Sequence, residues 1–413
     1  MPIEIMSPVG SYESLSAAIH AGAGSVYFGV GKMNMRSRSA ANFTLDDLQQ
    51  ITDICRENNV KSYLTVNTIV YNNEIEEMHR LLEHARACGV SAIIASDMAV
   101  ITHCRKLGLE IHISTQCNVT NIEAVRYYAQ FADVVVLGRE VPLAQAAEII
   151  RQIADDDIRG PRGELVRVEM FVHGALCMAV SGKCYISLDN YNYPANRGAC
   201  LQPCRRAYLV KDLETDLELV VDNKYIMSPK DLCTIGFIDK ILKAGVSILK
   251  IEGRGRSADY VKVTTECYHE AVQAVADGTF SLDKVNAWTE RLRTVFNRGF
   301  WDGYYLGRTM GEWTERYGSH ATTVREHVGK VTNFFSKLNV AEIALTSGEV
   351  SVGDTLAFEG ATTGIQEIVV EELRLDAGPV PTVRKGDLFS VATGVLVHRG
   401  DKVYKKMQVP DEF

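Results

Sequence analysis

The chain reads as an α/β protein. A TIM-barrel-like (β/α)8 domain comes first, and a small C-terminal all-β barrel domain follows. Three observations predict this. Short β-rich runs alternate with amphipathic helical stretches through the first 275 residues. A helix–glycine–strand step recurs at Ala21-Gly22-Ala23, Cys88-Gly89-Val90 and Ala244-Gly245-Val246, where glycine fits the left-handed cap that ends a helix. From Val328 onward the texture changes to short alternating strands separated by turn residues. At 413 residues, 46% of them hydrophobic, the chain can bury a large core. A doubly wound open sheet is the alternative, because strand count alone does not fix closure.

In order, the barrel strands are expected at 3–6, 25–29, 62–66, 92–96, 110–114, 134–138, 168–172 and 247–253. Helical patterns lie between them, at Leu45–Asn58 and Glu74–Cys88 for example, and one more is expected at Pro229–Ala244. Residues 283–308 read as a helix followed by an aromatic-rich linker. The C-terminal runs GKVTNFF, VAEIALT, DTLAFEG, IQEIVVEEL and DLFSVAT predict a barrel of about six strands. The expected boundaries are 1–280 for a catalytic barrel with a cysteine-rich insertion at about 173–228, 281–324 for a helical linker, and 325–413 for the β domain.

The net charge of −8 argues against a protein that coats nucleic acid indiscriminately. The C-terminal region from residue 325 has 10 Lys and Arg against 13 Asp and Glu, so its charge does not announce RNA. No secretory signal pattern opens the sequence. No run approaches the roughly 20 apolar residues of a membrane span. A cytoplasmic protein without a membrane partner is expected. There disulfides are disfavoured, and clustered cysteines read as metal-binding or catalytic.

Such a cluster exists. Cys177, Cys184, Cys200 and Cys204 fall within 28 residues, spaced C-x6-C-x15-C-x3-C, in the long segment after the seventh strand. Four thiolates suit a 4Fe–4S cluster or a structural zinc. The wide gap between Cys177 and Cys184 is less like zinc, which favours iron–sulfur and leaves zinc, or no metal, open. Cys233 is a reserve ligand. Cys55, Cys88, Cys104, Cys117 and Cys267 read as buried small hydrophobes.

In a barrel, chemistry gathers where strands end. Those ends supply Asn67, Asp97, Ser114, Thr115 and Gln116, Arg139 and Glu140, His173, and Glu252 with Arg254. Each alone is as well explained as a cap or loop residue; their joint position makes the functional case. Arg36 and Arg38 follow the second strand. Guanidinium forks suit carboxylate or phosphate. Arg197, Arg205 and Arg206 lie among Tyr185, Tyr191, Tyr193 and Tyr208, a mixture suited to a flipped or single-stranded base or to packing of the loop.

The run from Glu169 to Ser187, EMFVHGALCMAVSGKCYIS, resembles the signature of the collagenase-like peptidase family of unknown catalytic type (peptidase family U, number 32). The segments IMSPVG, NRGACLQPCR, SPKDL and KIEGR are similar to that family too, and the resemblance spans the whole chain. It implies two activities. The family name implies a peptidase. Several members are iron–sulfur proteins that hydroxylate aromatic rings or RNA bases without dioxygen, in ubiquinone synthesis, at a ribosomal cytidine, or at the tRNA wobble uridine with prephenate as oxygen source.

The resemblance makes Cys177, Cys184, Cys200 and Cys204 the cluster ligands, with Cys233 in reserve. The residues themselves give the peptidase little. No H-E-x-x-H or G-x-S-x-G occurs, and His269-Glu270 stops short of the former. Cys177 or Cys184 with His173 would be the remaining thiol–imidazole pair.

The expected protein is therefore a tRNA uridine 5-hydroxylase with a 4Fe–4S cluster, using prephenate and an electron-delivering partner. His173, Glu252, Asn67 and Gln116 are the catalytic candidates. Arg36, Arg38, Arg139 and Arg254 are the substrate-binding candidates. A peptidase, a zinc-stabilised RNA-binding module, and a hydroxylase of another RNA base are the alternatives.

Overall fold

The structure, a computed structural model, describes residues 3–38, 42–191, 194–208, 214, 227–308, 311–315 and 317–409. The barrel opens with β1 (Glu4–Pro8), α1 (Tyr12–His20), β2 (Ser25–Gly29), α2 (Asp47–Glu57), β3 (Lys61–Val66) and α3 (Ile75–Ala87). It continues with β4 (Ala92–Ala95), α4 (Met98–Leu107), β5 (Glu110–Ile113), α5 (Ile122–Ala129), β6 (Val134–Val136), α6 (Leu143–Asp155) and β7 (Arg167–Gly174). After the cysteine segment, with its short α7 (Ile186–Tyr191), come β8 (Asp231–Cys233), α8 (Ile238–Lys243), β9 (Ile248–Ile251) and α9 (Ala258–Ala276).

Strands β1 to β7 pair in sequence order, all parallel, and β9 pairs with both β7 and β1. The ring of eight parallel strands is thereby closed, which decides against the open sheet. Alternation sorts the side chains. Val26 and Phe28, Leu64 and Val66, Ile111 and Ile113, and Leu249 and Ile251 face the helices in one large core. Met6, Tyr27, Tyr63, Ile94, Val134 and Ile248 form a small apolar cluster. Beside it Glu110, His112, Glu169 and Lys250 are buried on their own strands. Cys55, Cys88, Cys104 and Cys267 are buried as expected of small hydrophobes, and Cys117 is half-buried.

One expected helix is shorter than the pattern suggested. Within Pro229–Ala244 only Ile238–Lys243 is α-helical, preceded by a 3-10 turn at Ile235–Phe237. Pro229 and its neighbours instead lead into β8, which runs antiparallel to the end of β7 with His173 opposite Cys233. Helix α10 (Leu282–Arg293) is followed by β10 (Phe300–Trp301), which pairs with β8, so the aromatic-rich stretch adds a strand to the barrel's outside.

The C-terminal region is all-β, with ten strands where about six were expected. They are β11 (Thr323–Phe335), β12 (Val340–Leu345), β13 (Glu349–Ser351), β14 (Thr355–Gly360) and β15 (Gly364–Val369), then β16 (Leu373–Leu375), β17 (Gly378–Val380), β18 (Thr382–Arg384), β19 (Leu388–Ala392) and β20 (Lys402–Gln408). Eight form one antiparallel sheet, and β13 with β18 forms a separate ribbon. Both enclose a core of their own, including Val331, Ile343, Val350, Phe358, Val383, Phe389 and Val403. Strand β15 docks on α1 and α9 through Ile365, Ala17 and Ala258. Lys262 Nζ donates to the Ile365 carbonyl at 3.1 Å.

Candidate active site

A cavity of about 140 Å3 opens at the C-terminal end of the barrel strands. One water needs roughly 10–15 Å3 on this measure, so a small organic ligand fits. Its wall combines the barrel end with the segment after β7. All four clustered cysteines line it: Cys177, Cys184, Cys200 and Cys204. Five cations line it as well, Arg36, Arg139, Arg205, Lys250 and Arg254, against the single carboxylate of Glu252.

The cysteine segment is tied down from several directions. Arg205 donates to the Leu176 carbonyl at 2.6 Å, the Pro229 carbonyl at 2.9 Å and Ser228 Oγ at 3.1 Å, which joins the two ends of the segment. Burial lowers its pKa to about 10. Arg197 makes a two-pronged pair with Glu74, 2.8 Å on each prong, and lies 3.7 Å from the centre of the Tyr71 ring. Two of the three loop arginines expected near RNA are therefore spent on holding the loop. Tyr185 stands out from it, 77% exposed. Tyr193, and the side chain of Tyr191, lie outside the described residues.

Glu252 is the electrostatic centre of the cavity. Its Oε1 accepts from Arg36 Nη2 at 3.0 Å, and its Oε2 lies 3.4 Å from the Tyr27 hydroxyl and 3.7 Å from Arg139 Nη2. Burial opposes its ionisation. Arg36, Arg139 and Arg254 overcome that and hold its pKa at about 2. Arg254, itself buried, donates to Thr65 Oγ1 at 2.8 Å and Asn34 Oδ1 at 3.0 Å. Asn67 Nδ2 donates to Gln116 Oε1 at 3.2 Å, so these two form a polar ledge with Ser114.

The cavity thus collects Asn67, Gln116, Glu252, Arg36, Arg139, Arg254 and the four cysteines. It does not collect Arg38, His173 or Cys233. Arg38 is exposed outside the lining. His173 is 1% exposed and packs on Tyr260, Tyr268 and Phe300. The reason is a bulge. Parity would carry Glu169, Phe171 and residue 173 to the same side of β7, but the register with β9 slips between Phe171 and His173. Burial lowers the His173 pKa to about 4. Cys233 sits behind it on β8, its thiol raised by burial to about 11. Asp97 caps α4 through the Ala99 amide at 2.8 Å, the modest role its position allowed.

Lys250 escaped the sequence reading because it lies within a strand. It is 4% exposed, yet lines the cavity floor, with Nζ 2.6 Å from Glu169 Oε1 and 4.6 Å from the centre of the Tyr27 ring. Behind it Glu169 Oε2 meets His112 Nδ1 at 3.2 Å, and His112 Nε2 meets Glu110 Oε1 at 3.4 Å. Arg167 donates to Glu110 at 2.7 Å at the opposite mouth of the barrel. Burial opposes the charge on Glu169. Lys250 and His112 hold its pKa at about 2 nonetheless.

A closed parallel barrel with a thiol-lined cationic cavity at its C-terminal end defines a (β/α)8 protein whose site lies at the face where such barrels do chemistry. The chain belongs to Peptidase family U32, whose model matches residues 10–315. A collagenase of Porphyromonas gingivalis is 53% identical over 402 residues, covering 97% of both chains. The tRNA hydroxylation protein P1 of Bacillus subtilis is 31% identical over 342 residues, covering 80% of this chain and 77% of that one. A 23S rRNA 5-hydroxycytidine synthase of Escherichia coli is 30% identical over 317 residues, covering 75% of this chain and 46% of that one. Among the described residues, no helix is long and apolar enough to cross a membrane.

Proposed function

We propose that the chain is an RNA-modifying enzyme that hydroxylates a pyrimidine base at carbon 5, its substrate being the wobble uridine of tRNA. One observation carries this reading: four thiols face a single cationic cavity at the barrel end. A pyrimidine C5–H is not acidic, so proton-transferring side chains alone do not install oxygen there. A redox centre is needed, and four thiolates are the complement of a 4Fe–4S cluster. The names of the Bacillus and Escherichia relatives support the RNA substrate.

The donor set suits such a cluster. Gly182 and Gly198 bring backbone so close to Gln116 and to Ser37 and Asn34 that a Cβ would clash, which packs the cysteine segment tightly on the barrel end. The Cys204 thiol is raised to about 11 by burial and by the other three thiols, which are already within electrostatic range. Arg36 feels Cys177 and Cys200 and offers them a counter-charge. Among the described residues no three His, Cys, Asp or Glu side chains stand close enough together to hold a metal ion, so the cysteines would have to approach one another for a cluster to be held.

When bound, the cluster supplies electron transfer to the cavity. The side chains do the rest. Arg139 and Arg254 hold the carboxylates of prephenate, the oxygen source. Glu252 fixes Arg36 beside the cysteines. Asn67 and Gln116 offer hydrogen-bonding groups to the edge of the base. Tyr185 gives the base a ring to stack on, and Arg38 suits an RNA phosphate. A separate protein delivers the electrons, in the cytoplasm.

A collagenase reading competes, because relatives of higher identity carry that name. It needs a nucleophile with a base. Yet His173 is buried outside the cavity, and no imidazole bonds Cys177 or Cys184 among the described residues. The deciding experiment is nucleoside analysis of tRNA from a strain lacking the gene, with metal analysis of protein purified without air. Loss of 5-hydroxyuridine and iron in the protein uphold the proposal. Unchanged nucleosides together with gelatin cleavage by colourless protein overturn it in favour of the peptidase.

A further inference from the structure

Resting on the RNA-modifying reading above, we propose that Gln116 decides which pyrimidine the cavity accepts. Its Nε2 is a fixed hydrogen-bond donor that takes the C4 carbonyl of a uracil and turns away the C4 amine of a cytosine. The polarity follows from one backbone group. The Met35 amide donates to Asn67 Oδ1 at 3.1 Å. A backbone N–H can only donate, so it fixes which end of the Asn67 amide is oxygen. Asn67 Nδ2 then points the other way, 3.4 Å from Ser114 Oγ and 3.2 Å from Gln116 Oε1. Ser114 Oγ accepts from Asn67 and donates its own proton to the same Gln116 oxygen.

This order carries through to the end of the ledge. Gln116 gives its oxygen to two donors, so its Nε2 faces away from Asn67 and Ser114, on a side chain that lines the cavity. Among the described residues that nitrogen has no hydrogen-bond partner. Asn67, 8% exposed, is a positioning residue that holds Gln116 this way round.

Gln116 also abuts the cysteine segment. A Cβ on Gly182 would stand 2.9 Å from its Cγ, and Gly182 lies between Cys177 and Cys184 in the chain. Hydroxylation at carbon 5 needs that carbon turned to the thiol side of the cavity. The substituent on its ring neighbour, C4, then falls beside Gln116. There the two pyrimidines differ: uracil has a carbonyl that accepts, cytosine an amine that donates. Against Nε2 the uracil oxygen gains a hydrogen bond. The cytosine amine sets donor against donor and leaves both unpaired. The neighbouring Thr115 Oγ1 is buried without a partner in the cavity wall. A hydroxyl donates or accepts, so it serves either base and the choice falls to Gln116.

RNA binding to the full-length protein tests this without turnover or a bound cluster. The probes are two labelled anticodon stem-loop RNAs that differ only in uridine or cytidine at the wobble position. Wild type is expected to bind the uridine RNA roughly tenfold more tightly, or better. Gln116→Glu keeps the side-chain shape and an oxygen facing Asn67 and Ser114, but puts an acceptor where Nε2 was. The preference should reverse to cytidine. Asn67→Asp should reverse it from one residue back: its two oxygens take the Met35 amide and Gln116 Nε2, which turns Gln116 Oε1 to the cavity. A ledge that merely packs would exchange no preference in either variant. Equal affinity of wild type for the two RNAs, or a uridine preference that survives Gln116→Glu, overturns the proposal and leaves the RNA reading standing. A uridine preference that survives Asn67→Asp overturns the positioning role of Asn67. Wild type that binds neither RNA overturns both the proposal and the RNA reading.

Discussion

A buried imidazole without a close counter-charge resists protonation, and His173 is such a group. Its pKa falls to about 4 from 6.5 through burial, opposed by Asp231 and assisted by Arg256. Below pH 6.5 the unfolded chain takes a proton that the folded chain refuses. Stability is therefore full above that value and lost as pH falls toward 4, by on the order of 3 kcal/mol in all. Urea melts across that range should show the loss, and His173→Gln should flatten it. At the cysteines, Cys204→Ala is expected to lower iron content after airless purification by roughly tenfold, whereas Cys233→Ala keeps it, because Cys233 is not in the cavity lining. Equal loss in both variants would make Cys233 a ligand. Arg38 falls outside the lining, whereas the four clustered cysteines, Glu252, Arg36, Arg139 and Arg254 were legible because their chemistry is rare or sits at strand ends. Lys250 was not, because a single lysine in SILKIEG reads as ordinary until the barrel closes and turns its strand face inward. His173 misled for the opposite reason: a one-residue bulge reverses the side that spacing assigns.

Among the elements, β7 sets the tolerances of the site. Gly174, at its end, has φ of +100°, and a Cβ there would stand 2.4 Å from the Glu252 carbonyl oxygen and 2.8 Å from the Tyr260 hydroxyl. Gly174→Ala is expected to cost roughly 2 kcal/mol or more and to shift Glu252. Gly89 also has a positive φ, +77°, but open space around it, so Gly89→Ala carries the backbone strain alone, about 1 kcal/mol. Thermal melts of the two variants side by side check the difference. Seven of the eight barrel strands were legible through the glycine-capped helix steps and β-branched runs between them, and the eighth through SILKIEG. Strand β8 was hidden because three residues, Asp231–Cys233, have no period, and only the distant end of β7 and the short β10 give them partners. The ten short strands of the last region were undercounted for the same reason.

At the scale of the molecule, two cores meet through small residues. Gly364 lies so near Ala17 that a Cβ would stand 2.8 Å from the Ala17 amide nitrogen, and Ile365 is 2% exposed beside it. Ile365→Asp should uncouple the β domain from the barrel while each core stays intact, giving two calorimetric transitions where the docked wild type is expected to give one. A single lowered transition would mean that the halves fold only together. Closure of the ring was beyond the sequence because it depends on β9 meeting both β1 and β7, contacts up to 244 positions apart that no local pattern encodes. The pairing of His173 with Cys233 has a consequence of another kind. The cysteine segment leaves and re-enters the barrel at two hydrogen-bonded neighbours, so the ring does not feel how long the intervening chain is. Loop-closure entropy grows only logarithmically with length. The length of the segment is thus free to vary between two fixed anchors, while what it presents to the barrel is set by the few residues that fasten it, Arg197 on Glu74 and Arg205 across its two ends.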